Sequence, residues 1–373
     1  MTTTIALPRH SVVLILGRRK DDGAMARLAD RVPAVASPWN VMKPDASLEL
    51  LHETLKGDQA VRVVMVNSNG KARRRVASAA KKRGCVPIAI RLPGAEEMEN
   101  DEGYARVIDL ATEADVDFQI VGMPSDMGHH EGPFDFIGDI HGCFVEFMRL
   151  LVMLGYVDDL TGLPQRHPQR RTLVLLGDLT DRGPGSLPVL YMVRALETYG
   201  ALRVLGNHDD KLAKWLMGRE VLIRAGIETS IAEMEHLSTD ERMELGAWLF
   251  EAEPHLILDG GRVVAAHAGI SRELQGRHTS GARSFALYGK TTGRVDEDGR
   301  PEVVDWTDDY DGDAVVVHGH VVHPRPRIVG NVVAIDTGCV FGGSLTAYRW
   351  PERHFVEVKA VATHWVDDGR ETA

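Results

Sequence analysis

The stretch FDFIGDIHGC, Phe134 to Cys143, reads as a short apolar strand that stops on a carboxylate, an imidazole and a glycine. Residues two apart on a strand point to the same side, so Asp139 and His141 can face one point. Two readings are open for this stretch alone. The pair holds a metal, or it is a solvated turn that happens to carry a histidine. What the other strand ends carry decides between them.

They carry the same chemistry. The apolar runs FDFIGD, TLVLLGD, LRVLGN, VVAAHAG, AVVVHGH and VVAIDTG each end in a polar group, usually beside a glycine. After the first, GDLTDRG supplies Asp178, Asp181 and Arg182, and GNHDDK supplies Asn207 and His208. AHAGI supplies His267, HGHVVH supplies His318, His320 and His323, and IDTGCVFGG supplies Asp336. A lone Asp beside Gly is an ordinary turn former. Several such ends in one block are different, because strands of one sheet, or of two stacked sheets, can deliver their tips to a common place. Carboxylate, imidazole and amide oxygen together suit Mn²⁺, Fe or Zn²⁺.

Outward from this block, the 373-residue length predicts two domains. Hydrophobic content of 44% and charged content of 26% are those of an ordinary soluble globular protein. No apolar run approaches the length of a membrane span, and the N-terminus lacks the marks of a secretory signal, so a cytoplasmic location is expected. Cys85, Cys143 and Cys339 are scattered, which suits reduced thiols, and Cys143 is expected to be a small buried residue. The net charge of −11 does not attract nucleic acid globally. Residues 1–121 alternate buried parallel strands (SVVLILG, VRVVMVNS, VPIAIRL) with the helix KARRRVASAAKKRG, closed by Gly84. Residues 122–133 read as a linker, 134–359 as the second domain and 360–373 as a tail. The helical stretch from Asp209 to Pro254 reads as an inserted cap. Residues 1–130 hold 18 basic against 17 acidic side chains, so the second block carries nearly all of the negative excess. Lys71, Arg73, Arg74, Arg75, Lys81, Lys82 and Arg83 crowd one helix, either as a solvated face or as a grip on phosphates.

The combined pattern GDIHG, GDLTDRG, GNHD, HAG and GH resembles the metallophosphoesterases, in the branch that holds the serine/threonine phosphoprotein phosphatases. GNHDDKLAKWLMGR, HAGISRELQGRHTSGARSFALYGKTTGRVDEDGRP and IDTGCVFGGSLTAYRWPER further resemble the phosphatase module of bacterial polynucleotide kinase-phosphatase, an RNA-repair enzyme. The resemblance implies an α/β fold with a metallophosphoesterase core, two packed β-sheets flanked by helices. It implies two divalent metal ions, Mn²⁺ foremost, with Fe, Ni²⁺ or Zn²⁺ also admitted. Asp139 and His141 would bind the first metal, Asp178 would bridge both, and Asn207, His267 and His320 would complete the second. Such a pair of ions lowers the pKa of a water and polarises the phosphoryl group. Arg182 would clamp the phosphoryl oxygens. His208, oriented by Asp181, would protonate the leaving alkoxide. Asp336 would lie near the phosphate pocket, or be a plain strand-end turn. His318 and His323 have no assigned part, since Val321 and Val322 break the GH-x-H spacing of many relatives.

The activity implied is hydrolysis of phosphomonoesters or 2′,3′-cyclic phosphates at RNA or nucleotide ends. The alternatives are a serine/threonine protein phosphatase, a dinucleoside tetraphosphatase, or a non-catalytic scaffold with a protein partner in an RNA-repair complex. The first block resembles, more weakly, the P-loop kinase domain of the same repair protein, in degenerate form. GRRKDDGAMA keeps Gly17 and Gly23, but Ala24 and Met25 stand where phosphate binding needs Lys and Ser/Thr. Asp21 and Asp22 would repel a triphosphate, so no kinase activity is expected.

Overall fold

The computed structural model describes residues 123–295 and 301–366 throughout. Within residues 1–122 it describes seven strands, one helix, Ala24, Leu28 and parts of residues 85–110. The chain forms two compact units, Met1–Pro124 with Arg277–Ser280, and Ser125–Gly276 with Gly281–Ala373.

In the first unit the elements are β1 (Thr3–Pro8), β2 (Ser11–Leu16), β3 (Asn40–Val41), β4 (Val61–Val66), α1 (Gly70–Lys82), β5 (Val86–Arg91), β6 (Arg106–Asp109) and β7 (Val116–Val121). Strands β3-β4-β2-β5-β6 make one sheet in which every pair is parallel, and β1 pairs with β7. Val12 to Leu16 are buried without alternation, as in a parallel strand covered on both faces. One face of α1 brings Val76, Ala79 and Ala80 onto Val12, Leu14 and Leu16. Its other face exposes Lys71, Arg74, Arg75 and Lys81. Arg73 departs from that face: it is buried and donates to the Glu97 carbonyl at 3.3 Å. The expected P-loop positions Gly17, Asp21, Asp22, Gly23 and Met25 lie outside the described residues, as do Arg83 and Gly84.

The second unit runs β8 (Phe134–Ile137), α2 (Phe144–Leu154), β9 (Thr172–Leu175), α3 (Ser186–Glu197), β10 (Leu202–Arg203), α4 (Asn207–Leu216), α5 (Ile227–Met234), α6 (Thr239–Phe250), β11 (His255–Leu258), β12 (Val263–Ala266), α7 (Ser280–Tyr288), β13 (Lys290–Val295), β14 (Pro301–Val304), β15 (Val315–His318), β16 (Arg327–Val329), β17 (Val332–Ala334), β18 (Ser344–Trp350) and β19 (His354–Lys359). Two five-stranded sheets form, ordered β10-β9-β8-β18-β19 and β11-β12-β15-β17-β16. In the first, β8, β9 and β10 run parallel; in the second, β12, β15 and β17 do.

Strand alternation sorts the side chains into layers. Phe134, Phe136 and Val174 meet Val263, Ala265, Val315 and Val317 in the seam between the sheets. Ile137, Leu173 and Leu175 point the other way, onto Phe147 and Leu150 of α2 and Val189 and Val193 of α3. Val264, Ala266 and Val316 cover the outer face of the second sheet with Ala286, Leu287 and Trp306. The result is helices, sheet, sheet and a thinner helical layer.

Two expectations change here. The 209–254 stretch is no cap: Leu212, Leu216, Ile227, Met234, Leu245 and Leu249 enter the same core as α2 and α3. An amphipathic stripe reads the same in either position, so the sequence pattern alone does not separate them. Nor is the 122–133 stretch a free connector. Ile257 donates to the Ser125 carbonyl at 2.7 Å, and Met127 donates back to Ile257 at 2.9 Å, adding this segment to the edge of β11.

At the start of β8, Asp135 is wholly buried and densely partnered. Arg171 Nε donates to both of its oxygens at 2.9 Å, Arg349 Nε reaches it at 3.0 Å and the Tyr156 hydroxyl donates at 3.0 Å. No helix among the described residues is long and apolar enough to cross a membrane.

Candidate metal centre

The residues singled out at strand ends lie at or just past the C-terminal ends of β8, β9, β10, β12, β15 and β17. Parallel strands with those ends together are the usual place for ligands in α/β sheets. The first sheet contributes Asp139, His141, Asp178 and Asn207; the second contributes His267, His320 and Asp336.

Asp178 sits between them. Its Oδ2 is 3.5 Å from His141 Nε2 and 3.4 Å from His267 Nε2. Its other oxygen accepts the His208 amide at 3.0 Å. Two groups of ligand atoms, His141–Asp178–His208 and Asp178–His267–His320, each fall within 4.8 Å. Asp139 lies outside both groups. Its carboxylate accepts the His320 amide at 3.1 Å, joining one sheet to the other, and it neighbours Asp336. Asp336 in turn accepts the Gly338 amide at 2.9 Å.

The backbone is bent to make this possible. Among the described residues nine other than glycine have positive φ, and five of them are His141, Asp178, Asp181, Arg182 and His320. Such conformations cost about 1–3 kcal/mol each and persist where surrounding structure enforces them. Gly319 and Gly206 have a second reason to be glycine. A β-carbon on Gly319 would collide with the Asp139 carboxylate, and one on Gly206 with Asp178.

The proton inventory tests whether the donors fit a cation. His267 Nδ1 faces the Leu176 carbonyl at 3.0 Å and must carry the proton. Its Nε2 is then a lone pair. It faces Asn207 Oδ1 at 2.8 Å, His320 Nδ1 at 3.1 Å and Asp178 Oδ2. His141 repeats the arrangement: Nδ1 donates to the Thr180 carbonyl at 2.9 Å, leaving Nε2 toward Asp178 and Arg182 Nη1, the latter at 2.7 Å. Lone pairs converging on one point fit divalent metal ions. Burial shifts the groups accordingly. It holds His141, His208 and His267 well below the usual imidazole range, in their neutral form, and His320 down to about 4. Burial and neighbouring carboxylates push Asp139 and Asp178 well above the usual range, and burial raises Asp336 to about 6.

His208 and Asp181 stand beside this set. His208 Nδ1 donates to Asp181 Oδ2 at 2.8 Å, and Ser230 donates to Oδ1 at 2.6 Å. The His208 ring stands edge-on to His141 with centroids 4.8 Å apart. Arg182 lies over Phe341 at 5.3 Å, and its Nε has no partner among the described residues. His318 is buried beside Trp306, and His323 is partly exposed, so neither joins the cluster.

Two supports escaped the sequence reading. Asp209 accepts from the Leu179 amide at 3.0 Å and Thr180 Oγ1 at 3.2 Å, clamping the β9 loop. Its place in the first turn of α4, right after GNH, is a usable signal. Ser230 comes from α5, with nothing in the sequence to mark it.

The calcineurin-like phosphoesterase model matches residues 132–331. A bis(5′-nucleosyl)-tetraphosphatase PrpE [asymmetrical] of Geobacillus thermodenitrificans is 46% identical over 235 residues, covering 62% of this chain and 95% of the relative. The protein of the same name in Bacillus subtilis is 44% identical over 230 residues, covering 60% and 93%. These relatives carry the name of an activity that the sequence reading held as an alternative, and not that of the polynucleotide kinase-phosphatase. A family match across both sheets, on a fold whose strand ends gather lone pairs fit for divalent ions, places this chain in the calcineurin-like phosphoesterase family of metal-dependent hydrolases.

Proposed function

We propose that this chain hydrolyses a dinucleoside tetraphosphate off centre, leaving a nucleoside triphosphate and a nucleoside monophosphate. The observation that carries this reading is the 46% identity over nearly the whole length of an asymmetrical tetraphosphatase. In it, Asp139 and His141 would hold one divalent ion, Asn207, His267 and His320 would hold another, and Asp178 would serve both. Mn²⁺ is the first ion to supply, because the donors are carboxylate, imidazole and amide oxygen. When bound, such ions supply an activated water and neutralise charge on the phosphoryl oxygens. Asp336 adds negative charge beside Asp139 and fixes the following turn. Arg182 leaves His141 to meet the phosphoryl oxygens, where a preorganised cation is worth about 10²–10³ in rate. His208 keeps its Nδ1 proton on Asp181, which Ser230 fixes, so its bare Nε2 can take up a proton from the attacking water and pass it to the leaving oxygen.

The test is turnover by chelator-stripped protein resupplied with Mn²⁺. The substrates are diadenosine tetraphosphate, an RNA ending in a 2′,3′-cyclic phosphate, a phosphopeptide and an aryl phosphate. Equal amounts of ATP and AMP from the dinucleotide are expected. ADP as the sole product overturns the off-centre cut. Turnover of the RNA end without the dinucleotide moves the activity to RNA ends and removes the tetraphosphate reading.

A further inference from the structure

On the far side of the His141 loop lies a second group of metal-ligating atoms. Cys143 Sγ, Cys339 Sγ and a Glu146 carboxylate oxygen fall within 4.8 Å of one another, and the three residues are 1%, 2% and 1% exposed. Glu146 Oε1 accepts the Val361 amide at 2.8 Å and lies 3.5 Å from His364 Nε2. Glu146 Oε2 is buried with no partner among the described residues. Cys143 Sγ also lies 3.8 Å from the His141 carbonyl oxygen, to which it donates. An orphaned carboxylate oxygen inside a hydrophobic core is costly. The carboxylate that carries it stands next to two thiols, with the His364 imidazole beside its other oxygen.

We propose that Cys143, Glu146 and Cys339, with His364 as fourth ligand, form a structural zinc site distinct from the strand-tip centre. Zn²⁺ lies about 2.3 Å from thiolate sulfur and about 2.0 Å from imidazole nitrogen or carboxylate oxygen. Ligand atoms of a tetrahedral site are therefore roughly 3.3–3.8 Å apart, so the three atoms now within 4.8 Å close in on the ion and the His364 ring, whose Nε2 lies 3.5 Å from Glu146 Oε1, turns toward it. Two thiolates select a softer ion than the carboxylate and imidazole set of the strand-tip centre. On binding, each thiol gives its proton to solvent, and the ion takes the place of both. The free Glu146 oxygen gains its partner in the same step. The site would tie three segments together. Cys143 is two residues past His141, Cys339 is three past Asp336, and the His364 and Trp365 amides both donate to the Val340 carbonyl. The ion thus braces the loops that carry Asp139, His141 and Asp336 from behind.

The experiment uses full-length protein in a Cys85→Ser background, so that only the two thiols of the cluster remain. Zinc per chain is measured by elemental analysis after dialysis against chelator, and Co²⁺ is then exchanged in. The Asp178→Asn/His267→Ala variant is expected to keep about one zinc per chain and to show a thiolate-to-cobalt charge-transfer band. The Cys143→Ser/Cys339→Ser variant is expected to lose both. Three results would overturn the site: no charge-transfer band in the Cys85→Ser protein, zinc content unchanged by the cysteine substitutions, or a Cys143–Cys339 cross-link in protein purified without reductant. The first and third are read on protein with both cysteines intact, so they decide the matter even if the double serine variant does not fold.

Discussion

Strand β8 buries carboxylates at both ends, and the two ends treat them in opposite ways. At its start, Asp135 is surrounded by Arg171, Arg349 and the Tyr156 hydroxyl, and Arg171 also bridges to Glu352 at 2.7 Å. Past its end, Asp139, Asp178, Asp181, Asp209 and Asp336 are all buried; the charge of Arg182 reaches four of them, and that of Arg203 reaches Asp209. Buried charge is tolerated when it is paired and hydrogen-bonded and is expensive otherwise. One end of the strand meets that condition within the chain and so reads as a stability device. The other is built to be completed by cations. The comparison shows where in a phosphoesterase fold to look for chemistry: at the end where acidic groups outnumber their protein partners.

The largest effect separates the two ends through activity. Asp178→Asn is expected to lower phosphoester turnover at least about a thousandfold, since Asp178 faces both halves of the centre. Its thermal melting in chelator should be no lower than that of the unsubstituted protein, because the amide removes a buried, uncompensated charge. A lower melting temperature in chelator would mean that Asp178 is paired within the fold, and the contrast would fail.

Next comes Arg171→Met. Removing the guanidinium leaves Asp135 buried with only Arg349 and Tyr156, and denaturant unfolding should show a loss of about 3–5 kcal/mol. Turnover per folded molecule should hold. A loss of turnover with stability intact would reverse the roles of the two ends.

The smallest effect sharpens the comparison at the surface. Asp305 accepts from Thr307 and pairs with Arg327 at 2.9 Å, and these partners, Thr307 first, hold it down from 3.8 to about 2. A depressed carboxylate pKa stabilises the fold above the unfolded value and loses that contribution as pH falls through the folded one. Asp305→Asn should therefore melt slightly lower at neutral pH, by under about 1 kcal/mol for so exposed a pair. The gap should close as pH falls from about 4 to about 2. A gap that persists at the acid end would locate the effect in packing and not in charge.

The strand-tip half of the molecule was legible because three local signals coincide there. A β-branched or apolar run, a ligand-type side chain and a glycine follow one another within about six residues, as in AVVVHGH, and β15 ends at His318 as that pattern requires. The hairpin of β18 and β19 was not singled out as strands: SLTAYRW and HFVEVK mix polar and apolar residues on both faces, although β18 pairs with β8 in the middle of the sheet. Supports from distant chain were hidden for another reason. Ser230 meets Asp181 across 49 residues and Arg171 meets Glu352 across 181, and no local periodicity encodes such partners. Glu146 illustrates the same limit. In the first turn of α2 it reads as a solvated acid favourable to the helix N-terminus, yet it is buried.

The hydrogen bond from the His320 amide to Asp139 spans 181 residues of sequence. Its consequence is one of folding order. Contacts between residues so far apart form late, because the intervening chain must first be brought to heel by local structure and by docking of the two sheets. The residues proposed to hold metal come from both sheets, so no nascent or half-folded chain would present the complete set. On that reading, tight uptake of metal would mark the completion of folding, and a chain stalled earlier would be spared from capturing ions in the wrong arrangement.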